Sequence, residues 1–130
     1  MSKEIYKSER SFVLHSFLAS HGQLLLRSDK RLGYSSNIDV IFFDASFIHM
    51  FTSLPNITIR ISNKENVVTE KAVKKYLSYD GNYLFEIESK TGKYLTAASF
   101  VKVFENDLEF HETSLGYENR GRENEIASSR

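Results

Sequence analysis

Four histidines, His15, His21, His49 and His111, and a carboxylate set in an apolar run, Asp39, are the side chains of this 130-residue chain best placed to do chemistry. A histidine beside an aspartate can move protons or begin a metal site. No two of the histidines have the i, i+4 spacing of a helical metal site, and His-Glu-x-x-His is absent. His15 and His21 flank one expected hairpin, and Asp39 or Asp44 approaches them if the next strand lies alongside. Arg27, Asp29, Lys30 and Arg31 leave that hairpin, and Asn37 and Asp39 return from the following loop. His15, His21, Arg27 and Asp39 are therefore the candidates for a small polar pocket, suited to an anion or a peptide carboxylate. The plainer reading is a set of structural histidines and a charged loop.

Other chemistries find no support. The chain has no cysteine, hence no thiolate nucleophile, disulfide or cysteine zinc site. Gly-x-Ser-x-Gly is absent, and the six glycines are dispersed, with no phosphate-cradling loop. The expectation is therefore no cofactor, no metal and no identifiable catalytic residue. Seventeen basic residues balance seventeen acidic ones. That balance lacks the basic surplus that nucleic-acid binding uses to neutralise phosphates. The N-terminus carries charges of both signs, and no apolar run approaches the ~20 residues of a membrane helix. These features lead us to expect a cytoplasmic protein that engages neither nucleic acid nor membrane.

The elements that would position these residues are mostly strands. Ten Phe, seven Tyr and many Ile and Val tilt the composition toward β-structure. Gly22 suits a three-residue hairpin loop setting Leu18 against Leu24, Phe17 against Leu25, and His15 against Arg27. Ile38 to Phe43 reads as a strand whose one polar residue, Asp39, must sit at a strand end or in a paired polar site. Ile57, Ile59 and Ile61 alternate with Thr58, Arg60 and Ser62, as in a strand with one wet face. One helix is expected over 69–78, with Ala72, Val73, Tyr76 and Leu77 on one stripe and Lys71, Lys74 and Lys75 opposite.

The last third reads as a three-strand meander. A three-residue loop at Lys90-Thr91-Gly92 sets Ile87 against Leu95 and Phe85 against Ala97. A two-residue turn at Glu105-Asn106 sets Val103 against Leu108 and Lys102 against Glu109. Both turns then agree on one inner face running from Phe85 to Phe110. Tyr94, Phe100 and Phe104 fall on the other face and are candidate anchors for a partner. Beyond residue 115 the alternating charges of Glu118 to Glu125 suit a flexible tail.

The pattern Phe12-x-Leu14-x-x-Phe17-x-x-Ser20-His21-Gly22-x-Leu24-Leu25-Leu26-Arg27-Ser28-x-Lys30, followed by Asn37-Ile38-Asp39-x-Ile41-Phe42, resembles small uncharacterised proteins of bacterial genomes. The resemblance covers the first third of the chain. It implies a bacterial source and no particular activity, cofactor or catalytic residue.

The architecture expected is α+β and mainly antiparallel: a curved sheet or partly closed barrel of about six to eight strands with one packed helix. Residues 1–115 would form a single domain and 116–130 the charged tail. The functional expectation is a small non-catalytic protein-binding module of the immunity or adaptor kind. The alternative is a small enzyme or ligand-binding barrel using His15, His21 and Asp39.

Overall fold

The computed structural model describes residues 3–62, 81–116 and 120–130. Its strands are β1 (Lys3–Leu18), β2 (Gln23–Ser28), β3 (Asn37–Phe43), β4 (Phe47–His49), β5 (Ser53–Ile61), β6 (Tyr83–Ser89), β7 (Gly92–Ala98), β8 (Phe100–Asn106) and β9 (Glu125–Ser128). All nine belong to one antiparallel sheet of order β4-β7-β6-β5-β1-β2-β3-β8-β9. The sheet is open, with β4 and β9 at its ends. This corrects the expected α+β class. Among the described residues a single turn of 3-10 helix, Lys30–Leu32, is the helical content, and the sheet does not close into a barrel. The helix expected over 69–78 lies outside the described residues. Among those described, no helix is long and apolar enough to cross a membrane.

The sheet is strongly curled. Phe42 on β3 and Phe85 on β6 have ring centroids 5.5 Å apart, although β2, β1 and β5 lie between their strands. In a flat sheet those strands would be about 19 Å apart at the usual spacing. The curl has a local cause in β1, a 16-residue strand. Its ladder with β5 slips between Glu4 and Tyr6 and again between Ser8 and Ser11. Opposite the second slip, Asn56 takes φ 65°, the left-handed region that Asn tolerates better than most residues. Such bulges bend a strand and raise its twist. The concave face then encloses the main core, built on Phe12, Leu24, Phe42, Ile59, Phe85 and Val103.

The expected registers fail by one residue at both hairpin turns. Between β1 and β2, Leu18 faces Gln23 and Phe17 faces Leu24, so the loop has four residues and His15 becomes the extra residue of a bulge. Between β6 and β7, Ser89 faces Gly92, a two-residue turn, and Ile87 therefore faces Tyr94. This one-residue slip exchanges the faces of β7. Tyr94 and Ala98 join the main core, while Ala97 is buried on the opposite side with Leu84.

The hairpin expected at Glu105-Asn106 is absent. β8 pairs with β3 on one side and β9 on the other, and 107–116 instead crosses the convex face as a strap. Val101 and Val103 remain on the concave face as expected, whereas Lys102 pairs with Glu125 at 2.8 Å rather than with Glu109. The charged segment expected to be a flexible tail contains β9, which lies on β8.

Two measurements test this register. Val103→Asp places an unpaired charge in the core and should cost several kcal/mol in urea unfolding. Lys102→Asp, next door on the other face, should cost about 1 kcal/mol or less; equal losses would refute the alternation. Deleting 124–130 leaves the β8 edge unpaired, so the thermal midpoint should fall by several degrees. An unchanged midpoint would mean that β9 adds no stability.

Candidate functional site

The polar residues singled out on the first hairpin and on β3 converge in part. Arg27 and Asp39 are direct partners across β2 and β3, 1% and 0% exposed. Their ion pair is two-pronged, with Nε donating to Oδ1 at 2.7 Å and Nη2 to Oδ2 at 2.9 Å. Two charges buried this deeply are tolerated only if their remaining donors and acceptors are also satisfied. The strap does much of this. Arg27 Nη1 donates to the Glu112 carbonyl at 2.7 Å, with the Glu109 and Phe110 carbonyls at 3.3 Å. Asp39 Oδ2 accepts from Ser114 Oγ at 2.7 Å and from Asn106 Nδ2 at 2.9 Å.

Asn37 extends the network. Its Nδ2 donates to Asn106 Oδ1 and to the Leu108 carbonyl, and its Oδ1 accepts from the Lys30 backbone N–H. His15 joins through its bulge, which turns the ring over the convex face. Nε2 lies 2.7 Å from the Phe110 carbonyl. A carbonyl can only accept, so Nε2 carries the proton, and the 3.4 Å approach of Arg27 Nη1 to it sets donor against donor. His21 does not join: it sits at the hairpin tip, where Nδ1 meets Ser20 Oγ at 2.8 Å.

This geometry has a chemical consequence. The Arg27 cation is neutralised by Asp39, and both Asp39 oxygens are held by protein donors away from solvent. The cluster therefore clamps the strap and leaves no open position for a substrate or anion. Among the described residues no group of three or more His, Asp or Glu could hold a metal ion.

Of the three aromatic candidates, Tyr94 is separated from Phe100 and Phe104. Tyr94 is 7% exposed on the concave side, its hydroxyl donating to Thr91 Oγ1. Phe104 is 4% exposed and lies beneath the strap with Leu25, Ile41 and Leu115. Phe100 borders an open concavity, and Phe104 lines its floor. The groove, about 530 Å³ along β3, β8 and β9, is completed by Phe43, Lys102, Arg122, Glu123, Glu125 and Arg130.

Four side chains form a continuous stack there. Phe43 and Phe100, register partners across β3 and β8, are parallel at 4.4 Å between centroids. The Arg130 guanidinium lies 4.0 Å over Phe100, and that of Arg122 5.3 Å from Phe43. Arg122 is anchored by donating from Nε to the Ser114 carbonyl and from Nη2 to Gln23 Oε1 and the Gly116 carbonyl. Burial alone pushes its pKa below the ordinary arginine value, and the group stays charged. Phe43, Arg122 and Arg130 were missed in the sequence because two of them lie in the segment read as a tail. The run Glu125-Ile126-Ala127-Ser128, short and able to form a strand, was the available signal.

A double-mutant cycle tests the clamp. Arg27→Met leaves Asp39 buried without its cation and should destabilise by about 3–5 kcal/mol. Adding Asp39→Leu should cost much less than the sum of the single losses, with a coupling of about 1–3 kcal/mol. Additive losses in urea unfolding would mean that the pair does not act as a unit.

Comparison of the chain with protein-family models, with curated proteins and with solved structures finds no match.

Proposed function

We propose that the protein is a small, non-catalytic protein-binding module that meets its partner at the groove along β3, β8 and β9. The observation that carries this reading is the Arg122–Phe43–Phe100–Arg130 stack bordering an open concavity. Arg and the aromatic residues supply a large share of the binding energy at protein interfaces, above all where a rigid anchor stands in a concave patch. Here the anchor is rigid before binding, since each ring is held by a neighbour on the sheet. The enzyme alternative loses support because His21 stands apart from His15 and Asp39, and Asp39 is fully engaged in the clamp. The balanced net charge favours a protein partner over nucleic acid.

Stability and binding, measured on the same variants, separate an anchor from a core residue. Phe100→Ala should leave the folded monomer within about 1 kcal/mol of the parent, since its ring is partly open. The same variant should lose capture of an identified partner by about tenfold or more. Phe104→Ala, under the strap, should instead cost the 3–5 kcal/mol of about a buried Phe truncation. Unchanged capture by the Phe100 variant would refute the groove as the binding surface.

A further inference from the structure

We infer that the groove receives an acidic, extended peptide segment, whose carboxylates are bound by Arg122 and Arg130. This inference rests on the proposed role of the groove and adds the chemistry of the partner. Its first support is charge complementarity. Arg122 donates to two carbonyls and an amide oxygen, all neutral, and its Nη1 has no acceptor among the described residues. Arg130 lays its guanidinium on the Phe100 ring, and neither arginine is ion-paired among the described residues. The neighbouring carboxylates, by contrast, are committed. Glu125 pairs with Lys102, and Glu123 Oε1 accepts the Gly121 and Arg122 backbone N–H groups. Although Glu123 and Glu125 also line the groove, it offers two guanidinium forks not ion-paired to any described carboxylate, the donor geometry that matches a carboxylate.

The stack also selects the class of ligand. Phe43 and Phe100 are stacked on each other, and each already has an arginine over its ring. A nucleobase needs an open aromatic face to stack on, and none is offered here. A carboxylate needs only the outward N–H edges of the guanidinium groups, which stacking leaves free. Spacing agrees with an extended segment. The contacts along the stack put the two guanidinium groups at most about 14 Å apart, and a chain rising about 3.3 Å per residue spans this with acidic residues two to four positions apart.

Titration with a short peptide alternating Glu and Ser, which presents its carboxylates on one face when extended, tests this directly. The probe should bind the intact protein, weaken as salt is raised, and shift the amide resonances of β8 and β9. A Gln-Ser peptide should not bind. Arg130→Glu should weaken the probe by about tenfold or more. Lys7→Glu makes the same charge change at an exposed position of β1 outside the groove lining and should stay within about twofold. Arg122→Lys keeps the charge but loses the fork, and should weaken binding without unfolding the strap.

Equal losses in the Arg130 and Lys7 variants would overturn the inference, leaving only unspecific attraction. Tighter binding of single-stranded DNA that displaces the peptide would overturn it in favour of a nucleic acid. A partner captured through Phe100 that carries no acidic segment would overturn this inference while preserving the binding-module reading. Loss of that reading would show separately, as capture insensitive to Phe100→Ala.

Discussion

A buried ion pair governs how this sheet is covered. Arg27 and Asp39 sit opposite one another on the convex face, where most proteins would place apolar residues or leave the face wet. Charges in that position cannot be left partly satisfied. The chain meets the requirement by drawing 107–116 across the sheet and supplying the Glu112 carbonyl and the Ser114 hydroxyl from it. Once the strap lies there, Leu115 closes over Leu25, Ile41 and Phe104. A second, smaller core thus forms on the side of the sheet that faces away from the main one. The polar pair sets where the strap runs, and the apolar contacts follow.

The strap also defines the groove. It covers the convex side of β2 and much of β3, and stops short of Phe43, Phe100 and Lys102. Arg122, just beyond the strap, is tied back to it through the Ser114 and Gly116 carbonyls. Its guanidinium consequently stands at the wall of the groove, in partial burial and not ion-paired to any described carboxylate. A cation in this position is held by geometry before any partner arrives, which lowers the ordering cost of binding.

The strands with clear alternation or an unbroken apolar run were legible in the sequence. In contrast, β4, β9 and the first part of β1 were not, and neither was the register of pairing. The apolar run of β3 and the isoleucine alternation of β5 announced themselves because a period of two is visible within a single segment. Even the dilemma of Asp39 could be read: a carboxylate there needed either a strand end or a partner, and the partner is Arg27. Turn length was another matter. Gly22 and Gly92 fit loops of several lengths, and one residue of error turned Tyr94 from a surface anchor into a core residue. Nor could local pattern show that Asn106 ends a strand rather than opening a hairpin. Its side chain bonds to Asp39, Asn37 and Gly121, all remote in sequence. The groove was hidden for the same reason, being assembled from β3, β8 and a segment whose charges resembled those of a tail.

The placement of the strap has a consequence for the order in which the chain can fold. Arg27 and Asp39 are twelve positions apart, and their strands are neighbours, so they can meet as soon as β2 and β3 pair. Their remaining partners, Asn106, Glu112 and Ser114, lie some seventy residues further on. Loop closure over that distance is slow compared with a hairpin. During synthesis, the convex face of β2 and β3 therefore emerges with Leu25 and Ile41 bare and a half-satisfied ion pair next to them along the strands. The charged pair, costly as it is, keeps that interim surface from being a continuous apolar patch. Charges so placed act as gatekeepers of apolar strands, and here the same two charges clamp the finished fold.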